Sequence, residues 1–381
     1  MKHPNLVVVS VTLLFNMFAA VTAGAQAASA SEALALDQQG KLADAAEAWR
    51  AVTRQNPKDA GAFASLGVDL ARQEKYVEAA QAYRRALSLD PKLRGIQVNL
   101  GLAEFKQGHF DAAIVPFSRA LTEDPQNSQA RTLLGMSYYG ARRFADAVKL
   151  LRLATDTDPA NSQLRQMLAQ SCLSAKQYDC AFEQFKTILQ QDPDSAAGHI
   201  LLGEALDGLQ KTPEAIAEFQ AAAKIAPREP DVHFGLGYLY WKSKQYDEAK
   251  TAFEAELALD PTHALALAYL GDIALKNGDV EGASTLLEKS LQQKNDLRIA
   301  YFDLGAVRTA QKNYPAALKA LKRAVELDPT QPDAHYRLGR VYRAMGKTAE
   351  AEAEFAATKS LHQKTDAAVV LERAVTQPTA Q

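Results

Sequence analysis

Few residues in this chain are suited to chemistry. Cys172 and Cys180 are its only cysteines. Two thiols this close in sequence can close a disulfide in an oxidising compartment if their Cα atoms come within ~7 Å. They can equally stay as two thiols, and the spacing leaves both open. Alone they lack the further ligands a zinc site takes. His199, His233 and His335 stand 34 residues, then three times 34 residues, apart. Such neighbours could form a metal-binding or pH-sensitive pair. Phe63 and Tyr301 fall in the same register, so the position reads more simply as one that takes amphipathic rings. There is no glycine-rich phosphate loop, no His-x-x-x-His helix and no Cys-x-x-Cys pair. No catalytic residue, cofactor site or metal site is expected, and the chain is not read as an enzyme.

The same 34-residue spacing governs everything else. Pro57, Pro91, Pro125, Pro159, Pro193, Pro227, Pro261 and Pro329 keep it, with Asn295 at the missing mark. A leucine keeps it at Leu66, Leu100, Leu134, Leu168, Leu202, Leu236, Leu270, Leu304 and Leu338. A glycine follows each, except at Ala169. Ten repeats result, starting at 26, 60, 94, 128, 162, 196, 230, 264, 298 and 332, and they leave no room for an inserted catalytic domain.

Each repeat predicts two helices. In the one starting at Pro230, Leu236, Leu239 and Tyr240 mark one apolar face and Ala249, Ala252, Phe253 and Leu257 a second, around a polar turn at Lys244–Tyr246. Asp260 precedes Pro261 and is pushed out of the α region, which ends the second helix. Glycine at repeat position 8 and alanine at position 20 let the two helices approach. The large residue at position 24, such as Phe117 or Phe253, is expected to fill the space between one hairpin and the next, so hairpins must stack.

Leu at position 7, Gly at 8, Tyr at 11 and 17, Ala at 20, Phe at 24, Ala at 27 and Pro at 32 resemble the tetratricopeptide repeat pattern over residues 26–365. The resemblance implies an all-α solenoid of about ten helix–turn–helix repeats wound as a right-handed superhelix, with a concave groove and a protein-binding role. Glu256 departs from it, standing where alanine is usual. In that family, positions 2, 5, 9 and 12 of the first helix line the groove. Carried onto this sequence they include Val98, Leu102, Phe105, Met136, Tyr139, Phe234, Tyr238, Trp241, Phe302, Tyr336, Arg340 and Arg343, with Glu204, Asp207 and Asp272 adding acid between them. Some of these aromatics would instead pack within the stack. The family's clamp for a C-terminal carboxylate needs Lys at position 5 and Asn at position 9 of one repeat, and no repeat has both. An apolar segment of another protein is therefore the expected ligand. The alternative is a structural spacer or oligomerisation element in a cell-envelope assembly; oligomeric state is left open.

Residues 1–25 read as a secretory signal peptide: Lys2 and His3, an apolar run from Leu6 to Val21, then Ala23-Gly24-Ala25 as a small-residue cleavage site. Export to the periplasm or medium follows, with no membrane insertion after cleavage. With 43 basic and 45 acidic side chains the net charge is −2, which lacks the basic field that nucleic acid demands. Residues 366–381 are expected to form a capping helix, started by Thr365-Asp366, and a disordered tail.

Overall fold

A computed structural model describes the backbone of residues 24–376 and the side chains of residues 30–364. The expected signal peptide thus lies, but for its last two residues, outside the described residues, as does the tail from 377 onward. Every element among the described residues is an α-helix. The chain divides into two compact halves between Gln191 and Asp192. The N-terminal half holds α1 Gly24–Gln38, α2 Leu42–Gln55, α3 Ala60–Arg72, α4 Tyr76–Leu89, α5 Ile96–Lys106, α6 Phe110–Glu123, α7 Ser128–Gly140, α8 Phe144–Thr157, α9 Ser162–Ser174 and α10 Tyr178–Gln191. The C-terminal half holds α11 Ala196–Gly208, α12 Thr212–Ile225, α13 Val232–Lys242, α14 Tyr246–Leu259, α15 Ala264–Lys276, α16 Val280–Gln293, α17 Arg298–Ala310, α18 Tyr314–Leu327, α19 Pro332–Ala344 and α20 Thr348–Thr376. Odd and even helices pair as hairpins, and ten hairpins reproduce the ten repeats. Each half is an α-solenoid segment.

The turn inside every hairpin has one solution. Position 15 is left-handed in all ten: Gly40, Gly108, Gly278 and Gly346, but also Glu74, Arg142, Lys176, Gln210, Lys244 and Lys312. In the hairpin α13–α14, Lys244 N–H bonds Trp241 C=O (2.9 Å) and Gln245 N–H bonds Tyr240 C=O (2.9 Å). That pair of bonds satisfies carbonyls the helix end would otherwise leave open. The joint between hairpins also repeats, though less strictly. Asp260 is extended (φ −128°, ψ 92°), as its place before Pro261 requires. Its carboxylate accepts the Thr262 N–H (2.9 Å), and Asp90, Asp124 and Asp328 repeat the bond. Asn127, Asn161 and Ser195 then cap the next helix through their side chains.

The glycines serve the large residue of their own hairpin. A Cβ on Gly101 would lie 2.7 Å from Phe117, and one on Gly237 2.7 Å from Phe253. The position-24 ring therefore sits on the bare backbone of the first helix. The next hairpin covers what remains: Tyr269 on α15 stacks on Phe253 at 5.4 Å. Phe117 and Phe253 are fully buried in this way, and Phe185, in the repeat that carries Ala169 in place of the glycine, is fully buried as well.

One local expectation changes. The last helix is continuous from Thr348 to Thr376, so residues 366–376 extend α20 and are not a separate capping helix. Gln363 stands where other repeats carry the helix-ending proline, and nothing forces a stop there. The joint lacking proline breaks where the others do: Lys294 is extended (φ −143°, ψ 107°). Its next helix is capped by neither Asn295 nor Asp296; the cap position is Leu297, which is buried and makes no side-chain cap bond. Finally, α6 runs unbroken through Pro116.

Candidate functional site

In the N-terminal half the first helices α5, α7 and α9, together with parts of the second helices α6 and α8, line two adjoining open cavities. One, of about 450 Å³, takes Leu102 and Phe105 from α5 and Gln129, Thr132 and Met136 from α7 as part of its wall. The other, of about 580 Å³, is lined by Phe105, Phe110, Met136, Tyr139, Gly140, Gln163, Gln166, Met167 and Gln170. Phe105, Met136 and Gln163 belong to both. Phe105 and Phe110 meet edge to face at 5.3 Å. Tyr139 donates its hydroxyl to Gln170 Oε1 at 2.6 Å. The larger cavity has no acid or basic side chain in its wall. Lys106, Arg131 and Asp158 reach only the smaller one.

The C-terminal half presents aromatic rings and charge instead. Tyr238 stacks on Trp241 (6.1 Å), and Trp241 meets Tyr269 edge to face (4.9 Å). Trp241 Nε1–H donates to Asp272 Oδ2 at 2.5 Å, and Lys276 pairs with the same carboxylate. One turn of the stack further on, Asp303 is 2 % exposed. Burial, and then the charge of Asp272, pushes its carboxyl up to about 7, against the pull of Arg337 and Lys276. Arg337 lies flat over Phe302 at 4.0 Å, and burial lowers its pKa despite the acids around it. Arg298 bonds Asp333, and Lys242 bonds Asp207 at 2.6 Å.

The residues expected in the groove divide accordingly. Leu102, Phe105, Met136 and Tyr139 line the cavities. Val98 does not face open space: it is 7 % exposed and packs in the core with Phe117. Phe234 and Trp241 pack against the cluster built on Phe253, and Phe302 against the one built on Leu321, so they serve the stack as well. Tyr238 is half-buried; Tyr336, Arg340 and Arg343 are exposed, Arg343 above the Phe355 ring at 4.7 Å. Glu204 is exposed. Gln163, Gln166 and Gln170 stand at positions 2, 5 and 9 of the fifth repeat, on the groove register, but sequence reasoning did not single them out; position 6, where Tyr269, Asp303 and Arg337 follow one another, lay outside that register. The one signal for position 6 was that it holds charge or aromatics in three successive repeats.

His199 and His233 are joint clasps, a role that the reading of position 4 as a seat for rings did not include. His199 Nε2 and His233 Nε2 bond the carbonyls of Pro193 (3.0 Å) and Pro227 (2.9 Å). Arg131 and Arg165 do the same to Pro125 and Pro159, and Tyr301 to Asn295. At Phe63, which cannot donate, Arg85 lies over the ring and supplies the bond to Pro57. In these five repeats position 4 donates to the previous joint, whereas Leu267 at the same position cannot. His335 and His199 also contact Glu354 and Glu218 at 2.6 Å.

Asp231, Glu256 and His263 bring ligand-type atoms within 4.8 Å of one another. Their protons argue for a helix cap. Ala266 N–H donates to His263 Nδ1 (3.0 Å), so Nδ1 carries no hydrogen and Nε2 donates its own to Asp231 Oδ1 (3.0 Å). A cation at Nε2 would move that hydrogen to Nδ1, against the Ala266 N–H. Glu256, 2 % exposed, accepts from Asp231 N–H (3.3 Å) and Phe234 N–H (3.0 Å). Asp231 is left-handed and offers α13 no side-chain cap, and Glu256 takes over that task. This explains the one charged residue at an alanine position. The positive ends of α13 and α15 converge here and favour the anion. Cys172 and Cys180 are bonded, Cα atoms 5.7 Å apart, tying the end of α9 to the start of α10.

Helical hairpins in uninterrupted register, with their first helices lining grooves, define a helical-repeat binding protein. Family models described as tetratricopeptide repeat match residues 31–93, 104–171, 173–236, 208–255, 234–297 and 333–365, and one described as TPR repeat matches 307–346. The chain belongs to the tetratricopeptide repeat family. Proteins of this family are generally non-catalytic scaffolds, and a protein-interaction role is what membership supports. No curated protein matches the chain. Among solved structures it is similar to yeast Tom70 (14% identity, 93% of this chain and 97% of that one, TM-score 0.43). It is similar to MamA from Desulfovibrio magneticus RS-1 (22%, 45% and 97%, 0.40). It is also similar to YrrB, described as a TPR protein with an unusual peptide-binding site (20%, 50% and 97%, 0.38).

Proposed function

We propose that this chain is a non-enzymatic scaffold that holds a segment of another protein against the first helices of its repeats. The observation that carries the reading is the pair of adjoining cavities in the N-terminal half, walled mainly by the first helices α5, α7 and α9, with Phe110 of α6 and Leu153, Ala154 and Thr157 of α8 contributing. Open space lined by apolar side chains and a few polar groups is what a binding site requires. A photo-crosslinking residue tests it. Placed at Met136 or Tyr336 it should trap a partner; placed at Val77, exposed on the second helix α4, it should not. Trapping from Val77 alone would move the interface to the other face and favour a spacer.

The scaffold acts outside the cytoplasm, in the periplasm or medium. What supports export is the basic start, apolar run and small-residue site of residues 1–25, together with the Cys172–Cys180 bond, which persists in oxidising compartments. No helix among the described residues is long and apolar enough to cross a membrane. Intact mass of the chain recovered from its host checks both points. Loss of about 25 residues and a gain of two protons on reduction are expected. A full-length chain with free thiols overturns export.

A further inference from the structure

We propose that the groove of the N-terminal half takes an extended, uncharged segment of its partner, with bulky apolar side chains in the two cavities and the backbone held by glutamine amides. This rests on the scaffold reading above and specifies its ligand.

Charge comes first. The cavity of about 580 Å³ is walled by two methionines, two phenylalanines, a tyrosine, a glycine and three glutamines. A Lys, Arg, Asp or Glu side chain entering it would meet no counter-ion in that wall, whereas an uncharged apolar group loses nothing there, so the wall favours uncharged ligands. Charges appear only in the wall of the neighbouring cavity, at Lys106, Arg131 and Asp158, and Arg131 is already bonded to Pro125 C=O at 2.6 Å. An uncharged segment is the complement of this surface.

Shape and donors specify it further. Gln163, Gln166 and Gln170 are three and four residues apart on α9 and so share one face. Each amide offers two N–H donors and a carbonyl acceptor, the same groups that a strand-like backbone presents. Tyr139 O–H fixes Gln170 by occupying its Oε1, which turns the NH2 end toward the ligand. Gln163 and Gln166 are exposed. Met136 and Met167 flank the amides, and their flexible thioethers accept apolar groups of differing shape. The groove therefore selects for bulk and neutrality over one fixed sequence.

The test selects peptides from a phage-displayed random dodecapeptide library on the full chain, then measures each enriched peptide by fluorescence anisotropy. Enriched peptides should lack Asp, Glu, Lys and Arg across the binding stretch and carry two or more bulky apolar residues. Met136→Asp should weaken them by ~10-fold or more, since it sets an unpaired charge in the shared wall. Gln163→Ala with Gln166→Ala, at exposed positions that cannot unfold the stack, should weaken them ~3- to 10-fold. Enrichment of charged peptides, or full affinity for both variants, overturns the proposal. If affinity falls instead with Tyr336→Ala and Arg340→Ala, the scaffold reading stands and this inference falls. If no peptide is enriched, both fall.

Discussion

The two halves share one scaffold and differ in what their first helices present. In both, position 8 is bare where the position-24 ring lies on it, and position 15 is left-handed. The N-terminal half fills its groove positions with Met, Gln and Phe and leaves cavities. The C-terminal half fills them with rings and ions that bind one another: Trp241 to Asp272, Lys276 to Asp272, Arg337 to Phe302. Packing fixes the scaffold positions because any change there meets a neighbour at once. The groove positions meet a neighbour only when their own side chains are long enough to reach one. The first half leaves open space along its first helices, while the groove residues of the second bind one another.

The largest expected effect tests whether the scaffold is equally rigid in both halves. Phe117→Ala and Phe253→Ala should each cost ~3–5 kcal/mol, the usual range for emptying a buried ring site. Phe253 also stacks on Tyr269, so its loss should be the larger. Each half holds one tryptophan, Trp49 and Trp241, and single-tryptophan backgrounds report them separately in urea. Equal midpoint shifts in the two would remove the aromatic stack as a distinguishing feature.

The next contrast concerns buried acid. Asp303 is pushed from 3.8 to about 7 by burial and Asp272, with Arg337 and Lys276 opposing and Asp333 adding a smaller push upward. The folded chain therefore keeps a proton that the unfolded chain releases. The contribution is intact below about pH 4 and is lost as pH rises through about 7. At ~1.4 kcal/mol per tenfold change in proton affinity, the charged form costs up to ~4 kcal/mol. Asp303→Asn should raise the melting midpoint at pH 8 and leave it nearly unchanged at pH 4. In the N-terminal half Asp69, 2 % exposed, is pushed up by burial and by Asp37, which hydrogen-bonds to it, while Arg72 opposes. Asp37→Asn should bring Asp69 down and flatten that half's pH dependence, read through Trp49.

Smaller again is the helix cap peculiar to the C-terminal half. Glu256→Ala should cost ~2–3 kcal/mol, because it leaves the N–H groups of Asp231 and Phe234 without an acceptor. The matching position in the third repeat is already Ala120, below a first helix that also begins after a left-handed residue, Gly95. Ala120→Glu there should destabilise, since the residue is 4 % exposed and a new carboxylate would be buried. A neutral result for Glu256→Ala would mean that Glu256 caps nothing.

Which of these features a reader of the sequence could find depends on their period. Proline, leucine and glycine recur every 34 residues, so hairpins, joints and order were legible. Leu102, Phe105, Met136 and Tyr139 were legible because apolar residues on a groove register stand out. Gln163, Gln166 and Gln170 lie on the same register, at positions 2, 5 and 9 of the fifth repeat, but were passed over because amides on an exposed helix face look like any solvated face. Glu256 was visible as a departure, but its reason needs Asp231 in the left-handed region, which no side-chain pattern announces. Thr365-Asp366 looked like a cap, yet a cap acts only where the backbone stops, and α20 continues through it.

The smallest effect returns to what the halves have in common. Six of the ten turns place a side chain in the left-handed region, among them Lys176 in the first half and Lys244 in the second. That conformation costs a non-glycine residue ~1 kcal/mol. Glycine removes the strain but gains freedom in the unfolded chain, which returns part of it. Lys176→Gly and Lys244→Gly should each stabilise by ~0.5 kcal/mol, measured by urea denaturation through the tryptophan of the same half. The two lysines differ in what surrounds them: Lys176 sits within the loop closed by Cys172 and Cys180, which already restricts the unfolded chain there. Glycine should then gain less freedom at 176, and its net benefit should exceed that at 244. If Lys244→Gly gave the larger benefit, the disulfide would not be formed in the molecule measured, and reduction would leave both variants unchanged.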